Sequence, residues 1–376
     1  MGKTCGTNLE AVFLTGSLSL GEGSSLRIGD RVLLLSDLDL GVVTSGEKER
    51  RELVPILREI ESSFSPPDPR LILSSPLSLP VYTRKDIRSQ KPKMETVDMA
   101  NQGKVLAGDE SCLSQLPITD GSEITKVEAI TLVENRAWEC LRNLERFRPS
   151  AGPESVKTAF LAGKAILDCM TSILAFRGAY VPGYKRRLSV FKETLRSGDG
   201  EIGGIAPGLE EEATFWAGFR EKPEISIVRK RYGEMGTVLS RARELMRQVW
   251  LWECSSLSGA GTHELSALIF RTAARPGLRE NARALRKALE SFIGGSGSIP
   301  DIVRVFRLSR WGNGEDFLRK MAALLFFELP ESRLEDWECS AGFMKLARKV
   351  FSQATVKRTG RSGKVWVEFF SGSMKQ

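Results

Sequence analysis

Histidine is almost missing from this sequence: there is one, His263, in 376 residues. Imidazole is the usual proton shuttle of Ser-His-Asp and Cys-His relays and a common zinc or haem ligand, so its scarcity sets those chemistries aside. His263 itself lies in Gly261-Thr262-His263-Glu264, which reads as a helix N-cap followed by a first-turn surface residue. Cysteine is sparse and scattered: Cys5, Cys112, Cys140, Cys169, Cys254 and Cys339 form no Cys-x-x-Cys pair, which speaks against zinc ribbons and redox dithiols. Long apolar runs are absent too. The longest, Met321–Phe327, falls far short of the roughly 18 residues a membrane span needs, and Ala11–Leu14 is too short for the apolar core of a signal peptide. The expectation is a soluble, cytoplasmic chain with reduced thiols and no membrane partner. Any chemistry it performs rests on carboxylates, hydroxyls, lysines or a hard metal.

What is present is ordinary globular material, 41% hydrophobic and 27% charged, enough for two or three domains at about 100–200 residues each. The net charge of +8 is uneven. Residues 1–120 carry 14 Lys+Arg against 17 Asp+Glu, and the remainder carries 41 against 30. A mildly acidic first part joined to a basic second part suits binding of a polyanion such as a nucleotide or nucleic acid, and equally suits a solvated surface rich in arginine.

The apolar period changes near residue 115. Before it, short runs bounded by Gly, Ser and Pro predict strands at Ala11–Leu14, Val32–Leu35, Leu40–Val43, Leu71–Leu73 and Lys104–Leu106. Glu47–Phe64 repeats its apolar residues at Leu53, Ile56, Leu57 and Ile60, the spacing of an amphipathic helix ended by the prolines that follow. A shorter helix is predicted at Met94–Asn101, stopped by Gly103. From Ile124 onward the pattern is helical: Ile124–Arg146, Ser155–Arg177, Lys185–Arg196, Glu210–Arg220, Gly233–Glu253, His263–Ala274, Arg279–Phe292, Asp301–Leu308, Glu315–Phe327 and Trp337–Thr355, with a terminal strand at Lys364–Phe370. The fold class is therefore α+β. A small mixed sheet occupies residues 1–115, and a large all-α domain follows over 124–376, with Gly-rich division points near 198–208 and 294–300.

The informative segment is Val12-Phe13-Leu14-Thr15-Gly16-Ser17, followed by Leu35-Ser36-Asp37-Leu38-Asp39-Leu40-Gly41-Val42-Val43. A strand running into Gly-Ser sets a helix start at the strand's end, where backbone N–H groups and the Ser17 hydroxyl can hold phosphate oxygens. Asp37 and Asp39, two apart in a strand, project to one face. Two adjacent carboxylates suit Mg²⁺, which takes one or two acids plus waters and substrate phosphates.

This segment resembles the nucleotidyltransferase superfamily typified by DNA polymerase beta, whose signature is Gly-Ser at a strand–helix junction followed by an apolar-flanked Asp-x-Asp. Gly16, Ser17, Asp37 and Asp39 match it, and Met94–Gly108 looks like the closing segment of many small bacterial and archaeal members. The resemblance covers residues 10–110 and implies Mg²⁺ or Mn²⁺ at Asp37 and Asp39, and an NTP, ATP first, held at Gly16 and Ser17. It implies transfer of a nucleoside monophosphate to an unidentified acceptor with release of pyrophosphate. The helical partner domain of the superfamily often sends a lysine to the triphosphate, and Lys164 in its apolar setting is the candidate, with snorkelling from a half-buried face as the plainer alternative.

The sequence also departs from the family. A third carboxylate is expected on a following strand, where the alignment puts Ile72, so a non-catalytic binding module is the alternative; Asp86, Glu95 and Asp98 are the acids that could reach the site from elsewhere. An RNA-directed enzyme using the basic helices is a further alternative. Gly178–Arg187, with Tyr180 and Tyr184 leading into Lys185-Arg186-Arg187, has the residues to stack a base and pair phosphates, with a solvated basic helix start as the plainer reading. Gly198–Gly203 fits G-x-G-x-x-G in form only, because it follows a helix and opens no βαβ unit.

Overall fold

The computed structural model describes residues 9–64, 71–73, 77–117, 120–143, 154–197 and 204–258, together with Ala323, Phe326 and Phe327. The chain is α+β, with a mixed-sheet region followed by a largely helical one. It divides into two compact units. One comprises Met1–Ala129, Ile173–Gly200 and Gly208–Val228; the other comprises Ile130–Ser172, Glu201–Pro207 and Arg229–Gln376.

In the first unit, β1 (Leu9–Thr15) leads into a single helical turn, α1 (Gly16–Ser19). A hairpin of β2 (Ser25–Ile28) and β3 (Arg31–Leu34) precedes β4 (Leu38–Thr44) and the 17-residue helix α2 (Glu47–Ser63). Three short strands follow, β5 (Leu71–Leu73), β6 (Leu77–Ser78) and β7 (Val81–Thr83), then α3 (Arg84–Arg88), α4 (Met94–Gln102) and β8 (Lys104–Gly108). Two 3₁₀ turns, Glu110–Gln115 and Gly121–Glu123, lead into the helices.

The main sheet is ordered β6-β4-β1-β8, with β7 also paired to β4. β1 is antiparallel to β4 and β8, whereas β6 and β7 both run parallel to β4. A second sheet is ordered β2-β3-β5, with β5 parallel to β3. Alternation along β4 sorts its side chains between two cores, as the two-residue period requires. Val42, with Leu38 and Leu40 alongside, packs against Leu53 and Leu57 of α2 and Leu77 and Leu79. Val43 instead joins Ala11, Phe13, Ile87, Met99, Cys112 and Leu116. Gly41 shares Val43's face because Phe13 covers it: a Cβ there would stand 2.0 Å from Phe13 Cζ.

The remaining helices are α5 (Lys126–Arg142), α6 (Glu154–Phe176), α7 (Tyr184–Arg196), α8 (Leu209–Glu221), α9 (Ile225–Tyr232) and α10 (Met235–Ser258). The second unit is cored by Val133, Ala137 and Leu141 of α5, Ile166 and Leu167 of α6, and Leu245, Val249 and Trp250 of α10. Ser155–Phe176 is long and apolar enough to cross a bilayer by length and composition, yet 83% of its apolar window is buried inside the protein. That is the behaviour of a core helix.

Most predicted elements appear within two or three residues of their expected ends. The single helix expected from Gly233 is preceded by the separate α9, and β2, β6, β7 and α3 were not legible as periods because each spans only two to five residues. Ala323, Phe326 and Phe327 are helical and buried, within the expected Glu315–Phe327. The other expected elements from His263 to Phe370, and His263 itself, lie outside the described residues.

Candidate functional site

The site is built where β1 ends. Thr15, its last residue, pairs with Asp39 of β4. The chain then turns through Gly16 at φ 70°, a left-handed conformation that L side chains rarely adopt. Space makes the same demand, since a Cβ on Gly16 would lie 2.5 Å from Asp39 Oδ2. The Gly-Ser bend and the second aspartate are thus packed together. Ser19 Oγ donates to Gly16 O at 2.8 Å, and Glu22 N donates to Ser17 O at 2.9 Å. No side chain caps α1. At four residues α1 has too few aligned peptides for a helix dipole, so its anion-binding capacity is that of local N–H and O–H donors.

Asp37 stands one residue before β4, so strand alternation does not set its direction as it does for Asp39. Both are half-buried, and both interact with other groups of the protein. Among the described residues, no three His, Cys, Asp or Glu side chains converge closely enough to hold a metal ion. Two carboxylates alone could supply only part of a cation's ligands.

The expectation for Ile72 needs correcting. β5 pairs with β3 in the second sheet, with Ile72 in register with Leu33, so Ile72 is not beside Asp39. The strands parallel to β4 are β6 and β7, and the residue in register with Asp39 is Ser78. Two apolar runs follow α2, and hydrophobic period cannot say which docks where.

Tyr82 of β7 is in register with Val43 and therefore shares Asp39's face. Its ring lies 6.0 Å from that of Phe13, and its hydroxyl donates to Glu95 Oε1 at 3.2 Å. Burial pushes the phenol well above its ordinary range, the Glu95 charge adds to this, and Asp39 and Asp86 push the same way. Asp39 and Glu95 thus act electrostatically on one hydroxyl. Glu95 stands in the first turn of α4, whose Met99 packs with Phe13 and Val43 on this same face. Asp86 is occupied elsewhere, closing a capping box with Thr83 and pairing with Arg50.

Asp98, one turn beyond Glu95, accepts from Tyr180 Oη at 2.8 Å and from Arg187 Nη2 at 3.3 Å. Burial raises its pKa, Arg187 and Tyr180 oppose the rise, and the Glu22 and Glu95 charges add to it. Arg187 is buried, donates to Val181 O and Tyr180 Oη at 2.9 Å each, and lies over the rings of Tyr180 and Tyr184. Arg220 lies over Tyr184 as well, 4.4 Å from its centroid. The tyrosines read as a base-stacking candidate are therefore already engaged by guanidinium groups.

Glu22 is the residue the sequence reading missed. Its carboxylate accepts from the backbone N–H groups of Tyr184 (2.7 Å) and Lys185 (3.0 Å), capping α7 from 162 residues away. Ser24 Oγ donates to Arg220 O at 2.8 Å, and Arg220 Nη2 donates to Glu22 O at 3.3 Å. The segment after the Gly-Ser bend is thereby clamped to α7 and α8. The glycines flanking Glu22 marked a turn, but nothing local named its partner. Lys164 lies half-buried on α6, in the other compact unit.

No family model, curated protein or solved structure matches this chain.

Proposed function

We propose that the chain is a nucleotidyltransferase that moves a nucleoside monophosphate from an NTP, ATP first, to an acceptor hydroxyl or phosphate in the cytoplasm. The observation that carries this reading is the packing of Gly16 on the Asp39 carboxylate, the space a Cβ would fill. It brings the bend suited to phosphate and an acid suited to a hard cation into one small volume. The donor set fits Mg²⁺ or Mn²⁺, with Asp37 and Asp39 as the residues that would hold it. When bound, the ion supplies charge neutralisation at the triphosphate.

The chain's own groups do the rest. The Ser17 hydroxyl and the N–H groups of the bend donate to phosphate oxygens. Glu95, beside Tyr82 on Asp39's face, is the acid assigned to take the acceptor's proton as its oxygen bonds to the α-phosphorus and the bond to pyrophosphate breaks. Cys112, Cys140 and Cys169 are buried free thiols, which accords with a reducing compartment.

The test is metal-dependent pyrophosphate release by the full chain, screened over the four NTPs with cellular RNA and small-molecule pools as acceptors. Release that is lost in Asp39→Asn and Asp37→Asn, with circular dichroism unchanged, supports the reading. Absence of both release and NTP binding in Mg²⁺ and in Mn²⁺ overturns it. A second reading, a nucleotide-binding module without turnover, is favoured by Ser78: the residue in register with Asp39 on the parallel strand β6 is not an acid. NTP binding that Asp39→Asn abolishes, with no release under any condition, selects it.

A further inference from the structure

A second cluster of acids lies inside the helical unit, unrelated to the Gly16–Asp39 site. Glu253 of α10 and Glu134 of α5 are both 0% exposed. Ser172 Oγ of α6 lies 2.5 Å from Glu253 Oε1, and Trp250 Nε1, one turn from Glu253, donates to Glu134 Oε1 at 3.1 Å. Three helices thus meet through two carboxyl groups, a hydroxyl and an indole. Among the described residues, Glu253 Oε2 is buried and has no hydrogen-bond partner.

That unpartnered oxygen decides the protonation state. In an ionised carboxylate, half of the negative charge would rest on Oε2 in a medium that cannot solvate it, a large cost for a buried charge. In the neutral acid Oε2 is a carbonyl oxygen, far cheaper to leave unmet. The surroundings agree. The facing charge from α5 is Glu134, of like sign, and α6 supplies neutral Ser172 and the Cys169 thiol. Asp168, further along α6, is ion-paired at 2.6 Å with Arg136 of α5. On α10 itself the neighbours are Trp250 and Cys254. Phe327, whose ring lies 5.8 Å from that of Trp250, adds no charge.

We propose that Glu253 is a proton-dependent latch of the helical unit: its neutral acid accepts the Ser172 hydroxyl without placing a charge in the interior, and losing that proton sets a buried charge beside Glu134 and loosens α10 from α5 and α6. Burial and the Glu134 charge outweigh the Ser172 bond and push the group from 4.5 to about 8. The folded chain therefore keeps a proton that the unfolded chain releases above pH 4.5. The latch's contribution falls as pH rises from 4.5 and levels off above about 8.

The experiment is urea unfolding of the full chain between pH 5 and pH 9, followed by tryptophan fluorescence. The wild type is expected to lose about tenfold in its folding equilibrium constant per pH unit up to pH 8, relative to Glu253→Gln. Glu134→Gln should keep this dependence but end it at lower pH, because the like charge is gone. Parallel pH profiles for wild type and Glu253→Gln overturn the latch, as does a dependence that only Glu134→Gln abolishes. If Glu253→Gln does not fold, the infrared carbonyl band of a buried protonated acid is read instead at pH 7 in wild type and Ser172→Ala. A band shifted by the loss of the Ser172 bond supports the latch, and absence of a band in wild type overturns it.

Discussion

At the scale of single residues, the site depends on what Gly16 lacks. Gly16→Ala adds a methyl group to a left-handed backbone, at about 1–2 kcal/mol, and drives that methyl toward Asp39 Oδ2. If the carboxylate is the obstacle, part of the cost should vanish when the carboxylate does. Urea denaturation of Gly16→Ala, Asp39→Ala and the double variant is expected to show a smaller Gly16→Ala penalty in the Asp39→Ala background; equal penalties would mean that backbone strain alone sets the cost. Tyr82 gives an independent probe. Its phenol is raised by burial first and by Glu95 and Asp39 after it. Glu95→Gln should lower it most and Asp39→Asn by less, measured by ultraviolet titration of tyrosinate. No movement in Asp39→Asn would remove Asp39 from the reach of the Tyr82 hydroxyl. The pairing of Gly16 with Asp39 was legible because each residue breaks a local rule, a bend after a strand and acids in an apolar strand. Tyr82 and Glu22 were not legible, since their partners are set by register and by a helix start 162 residues away.

At the scale of elements, period placed the long strands and helices correctly and failed where docking decides. Leu71–Leu73 looked like the neighbour of β4, yet it joins β3, and β6 and β7 take its expected place. Which sheet each run joins is a matter of docking, and no sequence period encodes that. An ion pair between buried Arg187 and partly buried Asp98 links α4 to α7. Arg187→Met leaves Asp98 partly buried with Tyr180 as its remaining partner. It should cost roughly 3–5 kcal/mol, while Arg187→Met with Asp98→Leu should recover much of that. Chemical denaturation of both variants checks it, and a double variant no better than the single one would show that the pair is not what holds these helices. The face of β4 that carries Asp39 offers a parallel case. Gly41→Ala presses its methyl into the Phe13 ring, with an expected loss of about 1–3 kcal/mol by overpacking. Gly41→Ala with Phe13→Leu should restore part of it.

At the scale of the whole molecule, the α+β division was readable because the apolar period itself changes near residue 115. Chemistry was readable only as a resemblance, since two aspartates and a bend are compatible with turnover and with binding alone. For the proposed transferase, the charge of the whole chain bears on what the acceptor is. Beyond residue 120, Lys and Arg exceed Asp and Glu by 41 to 30, and the exposed Arg229, Lys230 and Arg231 are consecutive on α9. If that excess serves an RNA acceptor, each phosphate neutralised releases counterions, and log affinity should fall linearly with log salt at a slope of about −0.7 per contact for a single strand. Filter binding of single-stranded RNA from low to physiological salt is expected to give a slope of several units. The slope should be unchanged by Asp39→Asn, since the aspartate contributes no phosphate contact. A flat profile would leave the basic surface as solvated charge and direct the search for an acceptor to small molecules. A steep profile that vanished in Asp39→Asn would instead mean that RNA enters at the divalent-cation site, making it the substrate of that site rather than a ligand of the basic surface.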